Sequence, residues 1–346
     1  MRIFKRVLQS IIGFFATIAV LWTILPLPAS SIEVVYSRTV FPIISWLVIH
    51  LTDLLPFSVA GFVLVVAPIA LIFFLTRAIR QRSWRIAWLW QLPLAALTVY
   101  GVFIVVWGAN YRRLSIEELW QLETAKVEPQ DLEMLAENLI IVLQQEQNST
   151  REANDAFTDL RETVQTQIKQ ITGVRPTLPS RIKATPAGLL MVLQTSGVVS
   201  PITLEAHVDS GLPEPFFLAV ATHELVHTAG FAGEADTDLI AAVAGLGSSN
   251  AYARYCTALA YFGKILGDIP KASQSKLIQQ LPSIAKSDYA TLRMAQGQYS
   301  IPWLASLSQI TYNQYLKSQG VQAGVQDYSR IGRLLAAAQN RGLIFR

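Results

Sequence analysis

At residues 223–227 the chain reads His-Glu-Leu-Val-His. On a helix, positions four apart share a face, so His223 and His227 offer two imidazoles to one point. Glu224 is offset from them by about 100° on the helix, which puts a carboxylate beside whatever the imidazoles hold. Two imidazoles and an adjacent acid are the components of metal-assisted hydrolysis, in which the ion lowers the pKa of a water toward ~7 and the acid takes its proton. A catalytic zinc ion needs three protein ligands and an open fourth position. Gly230 is a natural left-handed helix stop, and the chain then runs into Glu234-Ala-Asp-Thr-Asp238. If a helix opens there, Glu234 and Asp238 again share a face. The expectation is one Zn2+ per chain on His223, His227 and Glu234, with Glu224 as general base. Asp238 would accept a hydrogen bond from the back of a ligand imidazole. Asp236 points elsewhere and is the weakest of the three acids. The plain alternative is that these acids only complement the N-terminal dipole of the new helix.

The surrounding elements must position this set. Pro213 and Pro215 suit a helix start, and the apolar run Phe216 to Ala221 would bury the helix that follows. Upstream, Leu189–Leu193 and Val198–Val208 are β-prone and separated by Thr195-Ser-Gly197, which predicts a hairpin. Its second strand, Ile202 to Val208, is the expected edge strand, where an extended substrate could pair. Glu205 and His207 lie in it, and Glu205 is the substrate-strand candidate. Earlier, Ser115-Ile-Glu-Glu118 is a capping box, Pro129 opens a helix, and a polar helix over about 151–171 ends before Gly173. From Pro215 onward the pattern is helical and Ala-rich. Tyr312, Tyr315 and Tyr328 are candidates to stabilise an oxyanion, although tyrosines in apolar helices more often serve the core. The second half of the chain is α+β with helices dominant.

Composition places this domain beside a membrane. The 346 residues are 52% hydrophobic and only 15% charged, against about 25% charged in ordinary soluble domains. That excludes disorder, and the single Cys256 excludes a disulfide scaffold. Residues 1–108 carry eight basic residues against Glu33 and Asp53, whereas the remainder carries 20 basic and 22 acidic residues. The excess of positive charge sits among apolar stretches, so a nucleic-acid partner is a poor expectation. Three spans are expected, at about 7–30, 54–76 and 86–108, because about 20 apolar residues cross a bilayer. The uncharged run 39–52 is short and reads as an interfacial or re-entrant helix. The apolar core of the first stretch is too long for a cleaved signal peptide. Basic residues at the N-terminus and in the 77–85 loop place both in the cytoplasm. The expected organisation is a transmembrane module over 1–111 in the cytoplasmic membrane and an extracytoplasmic domain over 112–346.

Over nearly its whole length the sequence resembles a bacterial membrane family known as domain of unknown function 3810. The shared features include Leu55-Pro-Phe-Ser58, Trp107-Gly-Ala-Asn-Tyr111, Gly197 to Val208, and Thr222-His-Glu-Leu-Val-His227 with Gly230 and Glu234. Asn313-Gln-Tyr-Leu-Lys317 and Gly324-Val-Gln-Asp-Tyr328 extend them. The family usually has Glu-x-Glu-Ala-Asn where this chain has Glu234-Ala-Asp-Thr-Asp238, which argues against a role for position 236. The resemblance implies a zincin-like metallopeptidase: three transmembrane helices followed by a mostly helical domain with a small β-sheet. The Glu-x-x-x-Asp pair looks like that of membrane gluzincins. The tight turn at Gly230 is similar to metzincins, whose third ligand falls at the position occupied here by Gly233. The implied activity is hydrolysis of peptide or protein substrates at the bilayer. The alternative is a catalytically inactive zincin fold that senses or scaffolds envelope proteins.

Overall fold

The computed structural model describes residues 2–80, 87–318 and 330–345. The chain divides into two compact units, Met1–Arg113 with Ser200–Glu205, and Leu114–Val199 with Ala206–Arg346. In the first unit, α1 (Arg2–Ile24) packs along α5 (Ala87–Val106). Between them, α2 (Ala29–Ser31) runs through a π-helical segment (Ile32–Val40) into α3 (Phe41–Asp53), and α4 spans Val59–Arg80. Among the described residues, two helices are long and apolar enough to cross a membrane, Arg6–Ile24 and the continuous Ala29–Asp53. The described apolar parts of α4 and α5, Val59–Phe73 and Gln91–Val106, are shorter.

The short helix expected at 39–52 therefore continues back to Ala29. Glu33 and Arg38 divide the apolar run in the sequence, yet Glu33 is only 1% exposed. It accepts hydrogen bonds from Arg38 at 2.8 Å and Arg113 at 2.9 Å, and a buried charge persists only when paired in this way. Ser37 donates to Asn110 Oδ1 and Tyr36 donates to the Val105 carbonyl. These bonds tie the π-helical segment to the exit of α5, at the Trp107-Gly-Ala-Asn-Tyr111 motif.

The second unit has one main core and a three-stranded sheet. Its strands are β1 (Lys183–Thr185), β2 (Gly197–Val199) and β3 (Ala206–Asp209). Their order is β1-β3-β2, with β1 parallel and β2 antiparallel to β3. The expected pairing of Leu189–Leu193 with Val198–Val208 does not form, and the antiparallel pair is β2 with β3 instead. Leu189–Leu193 forms no strand, because Asp209 captures the backbone N–H groups of Gly188, Leu190 and Met191 and folds that run into a turn. Pro201 ends β2, Leu204 takes a positive φ of 51°, and the strand resumes only at Ala206. The central strand is thus β3, and β2 is an edge.

The helices of this unit are α6 (Ile116–Leu119), α7 (Pro129–Glu146), α8 (Ala153–Thr172), α9 (Glu214–Thr228), α10 (Glu234–Leu246), α11 (Ala251–Ile265), α12 (Lys271–Gln280), α13 (Ser283–Tyr299), α14 (Pro302–Ser318) and α15 (Ile331–Asn340). Ser115 and Glu118 form the expected capping box. Helix α9 packs against α8, α10, α11 and β3, with Phe216, Leu218, Ala221, Leu225 and Val226 all buried. A helix that is apolar nearly all round is driven to the centre of its domain. The His-Glu-Leu-Val-His segment is carried on this central helix.

Candidate metal centre

Two helices meet at the site. Helix α9 ends at Thr228, and Gly230 turns the chain with a φ of 88°, a conformation that a glycine adopts without steric penalty. Four residues later, Glu234 opens α10. The turn brings Glu234 Oε2 to 3.1 Å from His223 Nε2 and 3.3 Å from His227 Nε2. The donor atoms of these three residues lie within 4.8 Å of one another.

Each imidazole is held from behind. His223 Nδ1 lies 2.8 Å from Asp238 Oδ1, one turn along α10 from Glu234. His227 Nδ1 lies 2.7 Å from the Phe231 carbonyl. A carbonyl only accepts, so His227 Nδ1 carries the hydrogen and the neutral ring keeps its lone pair on Nε2. The Thr237 hydroxyl also donates to the Phe231 carbonyl, at 3.0 Å. Asp238 is fully buried and receives Tyr261 Oη at 3.2 Å and the Lys264 ammonium. Its second oxygen, Oδ2, is buried with no hydrogen-bond partner among the described residues.

The donor set fits a divalent zinc ion. With zinc–nitrogen and zinc–oxygen bonds of about 2.0–2.1 Å, a tetrahedral site separates its ligand atoms by about 3.3–3.4 Å. The two imidazole-to-Glu234 distances fall close to that edge, while the three donor atoms together span up to 4.8 Å, so the two rings would close in on a bound ion. Both Nε2 atoms face the carboxylate, and both Nδ1 atoms are engaged by groups that fix the ring orientation.

Electrostatics follow the same pattern. Burial acts to lower the His223 pKa, but the charge and hydrogen bond of Asp238, with help from Glu234, push it up to about 10. Burial acts to raise the Asp238 carboxyl, and the Lys264 and His223 charges hold it down at about 2. Glu234 is likewise held well below the usual carboxylate range against burial, by the two imidazoles. Glu224 behaves differently. Burial raises its pKa, and the neighbouring imidazoles only partly oppose that. A carboxyl that accepts a proton more readily than usual, beside a metal site, suits general-base work.

The structure thus brings together His223, Glu224, His227, Glu234 and Asp238. Asp236 is half-buried beside Gly233 at the start of α10. Glu205 lies elsewhere, since its carboxylate accepts the Val59 and Ala60 N–H groups at 2.9 and 2.8 Å, at the N-terminus of α4. His207 is buried in β3, opposite Val198. Tyr328 and the side chains of Tyr312 and Tyr315 fall outside the described residues.

Four contributors escaped the sequence reading. Lys264 and Tyr261 come from α11, more than twenty residues away, and carry no local signal. Thr237 sits inside the acidic segment and is recognisable only once its helix face is known. Gly197 did have a signal, because a glycine within a β-prone run often marks a close backbone approach. A Cβ at Gly197 would stand 2.4 Å from Glu224 Oε1 and 2.7 Å from Val220 Cγ1, so β2 passes directly over the base.

No curated protein and no solved structure matches this chain. The profile of one family, described as Protein of unknown function (DUF3810), matches residues 36–336, a stretch that takes in the Trp107–Tyr111 motif, β2 and both helices of the candidate metal centre, and the chain belongs to that family.

Proposed function

We propose that this chain is a membrane-anchored, zinc-dependent metallopeptidase of zincin-like type. The observation that carries the reading is the convergence of His223 Nε2 and His227 Nε2 on Glu234, with a buried, proton-accepting Glu224 alongside. Zinc held there would polarise a scissile carbonyl and bring the pKa of a water toward ~7. Glu224 accepts the proton of the attacking water and returns it to the departing amine. Asp238 and the Phe231 carbonyl keep the two rings aimed at the ion.

The edge strand supplies a place for an extended peptide. Ser196 accepts from Asp209 N–H, and Ser200 donates to the Glu205 carbonyl. Main-chain groups alternate sides along a strand, so those of Gly197 and Val199 point away from β3, the Gly197 carbonyl accepting a hydrogen bond from the Thr195 hydroxyl at 2.8 Å. A substrate paired antiparallel there would run past Glu224.

The membrane placement supported by charge is multi-pass in the cytoplasmic membrane, with the second unit outside. Arg2, Lys5 and Arg6 begin the chain, and Arg77 and Arg80 end α4 with Arg82 and Arg85 following. Basic flanks favour the cytoplasm. This orientation requires Ala29–Asp53 to begin and end on the outer side, although its length permits a crossing.

The test is hydrolysis of a fluorogenic peptide library by the full-length, zinc-loaded chain and by its Glu224→Gln variant. The proposal expects zinc retention with loss of cleavage in the variant. A Gln variant that cleaves like wild type removes Glu224 as base and overturns the mechanism.

A further inference from the structure

One turn before Glu224, α9 forms the wall of a cavity of about 540 Å³ within the second unit. Leu212, Phe216, Val220, Phe262, Leu281 and Leu292 line it, and Ser196 stands where it meets the start of β2. Val220 and Glu224 share a helix face, and both abut Gly197. The cavity therefore opens beside the base, at the end of the edge strand. Its lining is mostly apolar, and it is large enough to take an aromatic side chain together with part of the backbone that carries it.

Its rim is charged with one sign. Lys264, Lys286 and Arg293 line it, and no acidic residue does so among the described residues. Lys264 is already paired with Asp238. Lys286 and Arg293 are exposed on α13, seven residues apart and on one face. At ~1.5 Å per residue they stand about 10 Å apart along the axis. Side chains of an extended chain alternate faces and advance ~3.3 Å per residue, so acids two residues to either side of the apolar one share its face, ~13 Å apart, a span that the two long basic side chains can meet.

We infer that this cavity selects the substrate: it receives a large apolar side chain from an extended acidic peptide whose flanking carboxylates meet Lys286 and Arg293. The inference rests on the peptidase reading for the position of the scissile bond, while the binding it describes can be measured without turnover.

The experiment uses full-length, zinc-loaded Glu224→Gln protein in detergent and dansyl-labelled peptides read by fluorescence anisotropy. The probes are Ala-Glu-Ala-Phe-Ala-Glu-Ala amide, the same peptide with Gln for Glu, with Lys for Glu, and with Ala for Phe. A Gln peptide ending in a free carboxylate completes the set. The acidic Phe peptide should bind at least about tenfold more tightly than the Gln and Ala versions, the size of effect expected from complementary charge and a filled apolar pocket. The double variant Lys286→Glu/Arg293→Glu should lose that preference and favour the Lys peptide, with its zinc content unchanged. Equal binding of all probes, an acidic preference that survives charge reversal, or equally tight binding of the peptide with only a terminal carboxylate would each overturn the inference. The two readings fail separately. Wild-type cleavage of peptides without the charge preference removes the cavity's role alone, and charge-dependent binding without any cleavage by wild type removes the peptidase alone.

Discussion

At the scale of single residues, the site is defined by which atom of each ring is occupied. His223 and His227 have their Nδ1 atoms engaged by Asp238 and the Phe231 carbonyl, leaving both Nε2 atoms aimed at Glu234. In the proposed site, removing Glu234 deletes a ligand, whereas removing Asp238 only loosens the orientation of one. Competitive zinc titration against a chromophoric chelator should therefore rank three variants. Glu234→Ala loses most affinity, Asp238→Ala loses about 10–100-fold as other groups that orient ligands do, and Asp236→Ala stays near wild type. Zinc binding by Glu234→Ala at wild-type affinity, with Asp238→Ala or Glu205→Ala impaired, would refute the ligand assignment. Lys264→Met should fall between wild type and Asp238→Ala, because it removes a cation from Asp238 but leaves its bond to His223.

At the scale of elements, the working parts are a buried helix, a tight turn and an edge strand. Gly197→Ala places a methyl group against the Glu224 carboxylate, so zinc should stay bound while the base shifts. A displacement near 1 Å costs about 100-fold in rate, and peptide turnover beside zinc content will show whether the two separate. Unchanged turnover would mean that β2 does not constrain the base. Leu225 is fully buried in α9, and Leu225→Ala should destabilise the unit by about 2–5 kcal/mol, read from thermal unfolding. The five residues from His223 to Asp238 were legible in the sequence because each rule behind them is local: helical spacing, a glycine stop, acids opening a helix. The edge strand was misplaced for a non-local reason. Asp209 draws the Leu189–Leu193 segment into a turn, and Pro201 with Leu204 interrupts what reads as a single β-prone run. Glu205 looked like a cleft residue for the same reason, since nothing near it in sequence announces the N-terminus of α4 as its partner.

At the scale of the whole molecule, two helices of the first unit are long and apolar enough for membrane anchoring among the described residues, but the paired Glu33, Arg38 and Arg113 hide the continuity of Ala29–Asp53 from any count of uncharged residues. The proposed orientation makes reporter fusions after residues 28, 57 and 115 extracytoplasmic and a fusion after residue 80 cytoplasmic. Fusions at 28 and 57 on opposite faces would show that Ala29–Asp53 crosses, and would reverse the placement of everything that follows. The central claim, however, is that this chain is built around one metal ion. Its most direct test is zinc content by elemental analysis of the full-length protein, purified in detergent without chelators, for wild type, Glu224→Gln and His223→Ala. The predicted result is one zinc per chain in the first two and almost none in the third. A His223→Ala protein that holds as much zinc as wild type, or a folded wild type that binds none when zinc is supplied, would contradict it.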